Sequence, residues 1–484
     1  MDFAENSKPG AVSELRSRLA SARLVQNCGR VTQMIGLVIE SDGPMASVGE
    51  MCSIRQLGRG EDLLAEVVGF RNKRLLLMPL GEVHGICPGS EVVATGHSLR
   101  VPVGEELMGR VIDGMGHALD EQGEIPRLPL AELDLAAPHP LKRARIEQPF
   151  QTGIKAIDTF VPVGRGQRLG IFSGSGVGKS TLMGMMASKA EADVNVIALI
   201  GERGREVREF LETDLDEEGR AKSVVVVATS NQPALMRLKG TFLAMTIAEY
   251  FRAQGKNVLL MMDSVTRFAM AQREIGLAIG EPPSSRGYPP SVFSLLPQLL
   301  ERAGNSDRGS ITGLFNVLVE ADDMNDPIAD STRSVLDGHL VLSRELAAHN
   351  HYPAIDVLQS VSRLAQDLLD ETQQGLTGSA RDLMATYRKN QDLISIGAYE
   401  KGSNPGIDAA IQLHEPLNTF LKQDFRSSFT RDKSWEQLVN TLGSLQPVQT
   451  PPQMDAPPGA AALSTEPAMT QQEAAVSPMM RAMI

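Results

Sequence analysis

The sequence predicts a multidomain protein: an N-terminal all-β domain, a central, mostly parallel α/β sheet, and a helical domain at the C-terminal side. Three successive patterns along the 484 residues predict this order. Short apolar runs broken by turn residues come first, and longer apolar runs that alternate with helical stretches follow. Apolar residues at helical spacing come last.

Residues 1–27 form the first predicted unit. Residues 12–24 place Val12, Leu15 and Leu19 on one helical face, and Ser13 is a candidate cap for that helix. Such a helix either packs on its own domain or docks a partner, and the residues alone leave both interpretations open.

Residues 28–100 form the second unit. The runs "GLVIES", "LAEVVGF", "RLLLMPL" and "SEVVATG" are short and are separated by Gly, Pro or Asp, which is typical of a small β-barrel or sandwich. Residues 101–150 are rich in Pro and Gly, so we expect a connector made of turns.

Residues 151–375 carry the pattern of a parallel sheet. Nearly continuous apolar runs ("RLGIFSG", "VNVIALIG", "SVVVVATS", "NVLLMMDS" and "ITGLFNVLVE") alternate with helical stretches. Strands that are buried on both faces and alternate with helices predict a mostly parallel α/β domain.

The C-terminal part changes pattern twice. Residues 376–442 are predicted to be helical, because Ala380, Leu383 and Met384 follow helical spacing. Residues 443–484 are dominated by Pro, Ala, Gln, Ser and Met, which predicts a disordered tail.

Composition excludes several classes of function. The net charge is −12, whereas general nucleic-acid binding relies on basic surfaces, so we expect no nucleic-acid partner. The three cysteines lack metal-ligand or redox spacing, so neither structural zinc nor a disulfide is expected. No apolar run approaches the roughly 18–20 residues that span a bilayer, and "MDFAENSKPG" is unlike a signal peptide. We expect a cytoplasmic protein with at most peripheral membrane contact.

A phosphate-binding loop is the strongest motif. "SGSGVGKST" lies between a predicted strand and a predicted helix, where backbone N–H groups of a glycine-rich turn can contact phosphate oxygens. Lys179 would reach the β- and γ-phosphates, and the hydroxyl of Ser180 would bind Mg²⁺. Ser173 occupies the first position, where the strict pattern has glycine. The predicted nucleotide-binding residues are Ser173, Gly174, Ser175, Gly176, Val177, Gly178, Lys179, Ser180 and Thr181.

Further charged residues follow other buried strands. Asp263 ends "NVLLMM" and is a candidate second ligand for Mg²⁺. Glu202 follows "VIALIG", where it either acts as the base toward water or forms a structural ion pair with Arg203. Arg267 and Arg363 are both candidates for the cation that stabilises the transition state.

Several longer stretches together resemble one family. From about residue 25 to 440 the chain resembles the catalytic subunits of rotary ATP synthases, and within that group the ATPases of flagellar and type III protein export. The matching stretches are "SGSGVGKST", "GERGRE", "LLMMDSVTRFAMAQREIGLAIGEPPSSRGYPPSVFSLLPQLLERAG", "DPIADSTRSVLDGHLVLSR" and "PAIDVLQSVS". The resemblance implies an N-terminal β-barrel, a central P-loop (RecA-like) domain and a helical C-terminal domain.

The resemblance also implies roles for matching positions. Glu202 would polarise the attacking water, and Arg203 would lie near the terminal phosphate. Arg267 would serve the phosphate site, and Tyr352 would pack on adenine. Arg363 would enter the site of a neighbouring subunit, which implies a homo-hexamer that hydrolyses MgATP.

Partners are likewise implied by the resemblance. In the export branch the N-terminal segment binds a stator-like regulatory protein, and the C-terminal domain meets export chaperone–substrate complexes. Peripheral contact with a membrane export gate is expected as well. A flagellar export ATPase is the preferred interpretation, and a virulence-associated type III secretion ATPase is the alternative.

Two other classes remain alternatives. A hexameric RNA translocase of the transcription-terminator type would share the loop and the ring, but residues 30–100 contain only Phe70 as an aromatic and no dense basic cluster. A non-catalytic nucleotide-binding subunit would lack a carboxylate at Glu202.

Overall fold

The computed structural model describes residues 26–444, except 57, 59–61, 134–135, 320–322 and 324. The predicted docking helix and all but the first two residues of the predicted tail lie outside the described residues. Among the residues described, no helix has the length and apolar character needed to cross a membrane.

The N-terminal domain is a closed barrel, as predicted. Its strands follow the order β1-β2-β5-β4-β3-β6. Alternate residues point inward, and Ile39, Leu77 and Val92 are fully buried there. The strands are β1 (Cys28–Ile35), β2 (Val38–Asp42), β3 (Met51–Ile54), β4 (Leu63–Arg71), β5 (Arg74–Pro79) and β6 (Glu91–Ala94).

The predicted connector contains strands as well as turns. β7 (Arg100–Pro102) pairs with β9 (Leu130–Glu132), and β10 (Pro149–Phe150) pairs with β11 (Val163–Gly164). β8 (Val111–Asp113) joins the edge of the central sheet. A three-residue strand is too short to show an apolar pattern, which is why the sequence predicted only turns here.

The central sheet has the predicted parallel character. Its order is β19-β18-β12-β17-β15-β13-β14-β8; β19 pairs antiparallel to β18, and the short β16 pairs antiparallel to β17. β13 and β14 are buried along their whole length, which explains their unbroken apolar sequences. The strands are β12 (Arg168–Ser173), β13 (Val194–Ile200), β14 (Ser223–Ala228), β15 (Asn257–Asp263), β16 (Gly304–Asn305), β17 (Ser310–Leu318), β18 (Gly338–Leu342) and β19 (Val361–Ser362).

Helices cover both faces of this sheet. One core contains residues of α5, α6 and α7, and the other contains residues of α1, α2 and the C-terminal helices. The helices are α1 (Lys155–Phe160), α2 (Lys179–Lys189), α3 (Gly204–Glu209), α4 (Glu217–Ala221), α5 (Ala234–Ala253), α6 (Val265–Ile279), α7 (Pro290–Glu301), α8 (Pro327–Val335), α9 (Arg344–Ala348) and α10 (Ala365–Leu368).

The C-terminal domain is helical, as predicted. It consists of α11 (Glu371–Ser395), α12 (Pro405–Leu421) and α13 (Arg431–Gly443). Leu413, Leu417 and Trp435 are buried in the same core as α2, so this domain packs on the face of the sheet that α2 covers.

Candidate active site

The glycine-rich loop connects β12 to α2 at the carboxyl edge of the sheet. Gly176 and Gly178 have φ angles of +79° and +86°, which glycine adopts without the steric cost of a side chain. Ser175 and Gly176 are exposed, so the loop backbone faces solvent. This geometry fits a cradle for phosphate groups.

The remaining loop residues anchor the cradle. Val177 is buried in the core, and the hydroxyl of Thr181 hydrogen-bonds the carboxyl of Asp214. Ser173 is buried, and its hydroxyl has no hydrogen-bond partner in the described part of the chain. Together with Gly174 it lines a cavity of about 240 Å³. Serine in place of glycine at this position is therefore compatible with the loop.

Lys179 joins two carboxylates at the sheet edge. Its ammonium lies 2.6 Å from Asp263 Oδ1 and 3.4 Å from Glu202 Oε1. Burial alone would lower the pKa of Lys179, but the two neighbouring carboxylates raise it above its usual value. The lysine is therefore held charged beside the loop, between the two acids.

Glu202 lies just beyond β13, in a poorly solvated position. Burial raises the pKa of Glu202 to about 7, against the opposing effect of the Lys179 charge. The charge of Asp263 raises it further. A carboxylate that titrates near neutral pH suits a group that accepts a proton from water.

Glu206 is a site residue that the sequence analysis missed. Its carboxyl hydrogen-bonds that of Glu202, and this bond lowers the pKa of Glu206 while it raises that of Glu202. The four-residue spacing in "GERGRE" was the available signal, because Glu206 is carried by α3, which begins two residues after Glu202. Arg203 is largely exposed and contacts Glu206 at 3.6 Å.

Ser180 and Asp263 are the residues that could hold Mg²⁺. Ser180 lies in the first turn of α2, and Asp263 ends β15, two strands from β12. Hydroxyl and carboxylate oxygens are ligands that this hard cation prefers, so the donor set fits. Within the described part of the chain, no group of three or more His, Cys, Asp or Glu could hold a metal ion.

Arg267 packs beside Gly201, which follows β13, and Tyr352 packs beside the glycine-rich loop. Gly201 packs against the Arg267 side chain, because a Cβ atom built on Gly201 would lie 2.8 Å from Arg267 Cβ. Within the described residues, the buried Nε of Arg267 has no hydrogen-bond partner. The Tyr352 ring contacts Gly178: two of its carbons lie 3.3 Å from a Cβ built there.

Arg363 lies elsewhere, beside the edge strand β19. It is exposed, its Nη2 lies 3.4 Å from the carbonyl oxygen of Arg333, and it lines a cavity of about 420 Å³. Within the described residues, no hydrogen bond or ion pair is found between Arg363 and Lys179, Glu202 or Asp263. The structure thus brings these three residues together and leaves Arg363 on an outer face.

Known protein families match each of the three domains. The β-barrel domain of the ATP synthase alpha/beta family matches residues 31–96, and its nucleotide-binding domain matches residues 153–362. The C-terminal domain of the type III secretion ATPase EscN matches residues 369–440. The chain is 52% identical over 417 residues to the flagellum-specific ATP synthase of Bacillus subtilis, covering 86% of this chain and 95% of that protein.

The chain belongs to the family of flagellar and type III secretion ATPases.

This chain is similar to relatives from both the flagellar and the type III secretion branches of the family. The type 3 secretion system ATPase of Xanthomonas euvesicatoria is 49% identical, over 84% of this chain and 92% of that protein. The assembled ATPase EscN of enteropathogenic E. coli superposes with a TM-score of 0.81 at 45% identity, covering 86% of this chain and all of that chain. EscN has also been solved with its central stalk EscO, with a TM-score of 0.79 to this ATPase at 44% identity, over 86% of this chain and all of that one.

Proposed function

We propose that this ATPase hydrolyses MgATP in a six-membered ring and thereby energises flagellar-type protein export. The observation that carries the proposal is the placement of Lys179 between Asp263 and Glu202, beside a loop whose backbone is open to phosphate. A subunit that only binds nucleotide needs the loop and the lysine. Hydrolysis also needs a base, and Glu202 supplies one in this site.

The reaction is an in-line attack of water on the γ-phosphorus of ATP. A bond forms between the water oxygen and phosphorus, and the bond to the β,γ-bridging oxygen breaks, which leaves ADP and phosphate. Glu202 orients the water and accepts a proton from it. The phosphates draw the ammonium of Lys179 away from Asp263, which frees that carboxylate.

Cations stabilise the charge that develops on the transferred group. Lys179 and Arg203 of the same chain supply positive charge, and Arg267 supports the phosphate site. Arg363 is supplied by a neighbouring copy. Ser180 and Asp263 would hold Mg²⁺, which withdraws charge from the phosphate oxygens when bound. Tyr352 would pack on the adenine from the Gly178 side of the loop.

The position of Arg363 supports the proposed ring. An exposed arginine on the outer edge of the sheet can complete a site only on another copy of the chain. The assembled form of the related EscN supports this arrangement. We propose a homo-hexamer with catalytic sites at the interfaces between subunits.

Partners and location complete the proposal. Residues 1–27 would bind a stator-like regulatory protein, and residues 376–442 would meet export chaperone–substrate complexes. The ring would work in the cytoplasm, peripherally at the membrane export gate. The EscN–EscO complex supports a regulatory partner for this type of ATPase.

A virulence-associated secretion ATPase is the second candidate. The 49% identity to the Xanthomonas protein favours it almost as strongly as the 52% identity to the Bacillus protein favours the flagellar branch. The catalytic residues proposed above serve both branches equally. The two therefore differ in cargo and partners, and not in chemistry.

Two experiments test the proposal in sequence. Purified protein with MgATP should release phosphate, and Lys179→Ala should abolish both nucleotide binding and release. Expression in a Bacillus subtilis strain that lacks its flagellum-specific ATP synthase should then restore motility. Absence of phosphate release by the assembled protein would overturn the enzymatic claim; hydrolysis without restored motility, but with restored secretion in a matching Xanthomonas strain, would favour the second candidate.

A further inference from the structure

The segment between α12 and α13 lies against the nucleotide site rather than out in solvent. Gln423 belongs to this segment and is buried, although it is a long polar residue in a loop. Its side-chain Oε1 accepts a hydrogen bond of 2.9 Å from the backbone N–H of Lys155. Its Nε2 donates to the carbonyl oxygen of Gly153 at 2.8 Å.

The backbone of Gln423 also contacts Tyr352, the aromatic residue that packs beside the glycine-rich loop. The N–H of Gln423 donates to the carbonyl oxygen of Tyr352 at 2.9 Å. Tyr352 in turn packs on Gly178, the last residue before α2. One residue of the C-terminal domain therefore holds Tyr352 on one side and the Gly153–Lys155 turn on the other.

The same segment also contacts the C-terminal end of α2. The ammonium of Lys189, in the last turn of α2, donates to the carbonyl oxygen of Ser427 at 2.6 Å and to that of Phe425. Gly153 packs on Lys189, because a Cβ built on Gly153 would lie 2.8 Å from Lys189 Cβ. Helix α2 is thus held by the 423–427 segment near both of its ends.

From these contacts we infer that Gln423 is a positioning residue for nucleotide binding. Its side-chain bonds to Lys155 and Gly153 fix its own backbone, and the backbone N–H in turn holds the carbonyl oxygen of Tyr352 at the base side of the loop. The inference rests on the proposed function, since it requires that a nucleotide base occupies the space beside Tyr352. Within the described residues, the Gln423 side chain makes no hydrogen bond to the glycine-rich loop, and the far end of α2 is held by the carbonyl oxygens of Phe425 and Ser427 instead. We therefore expect the Gln423 side chain to act mainly on the base side of the loop.

This role differs from a purely structural one in a measurable way. A residue that only stabilises the fold would affect every ligand of the loop equally. A residue that orients Tyr352 affects ATP, which has a base, and spares tripolyphosphate, which has none. The two ligands share the triphosphate and hence the same contacts with Lys179.

The experiment measures binding of Mg-ATP and of Mg-tripolyphosphate to the full chain by calorimetry. Gln423→Ala removes all side-chain hydrogen bonds, and Gln423→Met removes them while filling most of the volume, so that a cavity effect is separated from a hydrogen-bond effect. Gln412→Ala is the matched control, because Gln412 lies in the same domain and bonds only to Ser444 among described residues. Fluorescence of Trp435, the single tryptophan of the sequence, reports whether the C-terminal domain stays packed.

We expect both Gln423 variants to weaken ATP binding about tenfold, the effect of roughly one lost hydrogen bond, and to leave tripolyphosphate binding within about twofold. KM for ATP should rise by a similar factor with kcat nearly unchanged. Equal losses for both ligands, or no loss for either, would overturn the inference.

Tyr352→Ala separates this inference from the proposed function. If Tyr352→Ala discriminates between the two ligands and the Gln423 variants do not, Gln423 has no positioning role and the base site stands. If Tyr352→Ala itself leaves ATP binding unchanged, the proposed base site is wrong, and the inference about Gln423 fails with it.

Discussion

At the scale of single residues, the proposed role of Glu202 as the base makes hydrolysis depend on pH. Its pKa is raised to about 7 by burial, and only the deprotonated carboxylate can accept a proton from water. We therefore predict that kcat/KM falls about tenfold per pH unit below pH 7 and levels off above it. The measurement is a pH profile of kcat/KM for ATP. A profile that stays flat from pH 5.5 to 8 would show that Glu202 is not the titrating base.

Removal of the carboxylate has a separate consequence. Glu202→Gln keeps the size and the hydrogen-bonding capacity of the side chain but cannot accept a proton. We predict that it binds ATP with nearly unchanged affinity and loses hydrolysis by roughly 10²–10⁴-fold. Calorimetric titration and phosphate release measure the two effects, and Gln412→Ala serves as the unaffected control. Hydrolysis within a few-fold of the unsubstituted protein would contradict the assigned role.

Sequence reasoning identified some of these residues and not others, for a physical reason. Lys179 and Asp263 follow buried strands in a recognisable order, and parallel topology brings such strand ends to one edge. Glu206 and Gln423 contact the site through a short helix and through a loop from another domain. Contacts of that kind depend on tertiary packing, which no local pattern in one sequence encodes.

At the scale of elements, helix α2 is held close to the turn that precedes α4. A Cβ atom built on Gly184 would lie 2.2 Å from the carbonyl oxygen of Asp214. We predict that Gly184→Ala lowers the free energy of unfolding by about 1–3 kcal/mol, because the backbone must move apart. The Tm measured by calorimetry should fall accordingly.

The matched control is another helical glycine, in α11. Gly378 is exposed, and a Cβ atom built on it would meet no atom of the described residues within 4 Å. Gly378→Ala should therefore stabilise the protein by about 0.5–1 kcal/mol through helix propensity. A Tm that changes in the same direction for both variants would contradict this account of α2.

Elements were predictable to different degrees. The long buried strands β13, β14 and β15 were evident as apolar runs, since strands buried on both faces need such residues. β8 was not evident in the sequence, because its three residues show no apolar pattern and form a strand only by pairing with β14.

At the scale of the whole molecule, an ion pair connects the barrel to the nucleotide-binding domain. Lys239 Nζ on α5 lies 2.6 Å from Glu66 Oε2 on β4, and both side chains are about one-tenth exposed. We predict that Glu66→Ala destabilises the protein by about 3–5 kcal/mol, because it leaves the lysine charge buried. Replacing both residues, as Glu66→Leu with Lys239→Met, should recover most of this loss in a denaturant titration. No recovery in the double variant would show that packing, and not charge, holds the two domains together.

The assembly is the largest scale at which the site operates. Arg363 lies on an outer edge of one chain, while Lys179, Glu202 and Asp263 lie together at the loop. We propose that a complete site requires two copies, and that each interface pairs one copy's loop with the other copy's arginine.

Subunit mixing tests this central claim most directly. Glu202→Gln and Arg363→Ala should each be inactive alone, the latter by roughly 10³-fold or more. In mixed rings, some interfaces combine an Arg363→Ala subunit, which contributes its intact loop and Glu202, with a Glu202→Gln subunit, which contributes its intact Arg363. Such an interface contains every proposed catalytic residue. We predict that phosphate release reappears on mixing under assembling conditions. No recovery in rings shown to contain both variants, or normal hydrolysis by Arg363→Ala alone, would contradict a site shared between subunits.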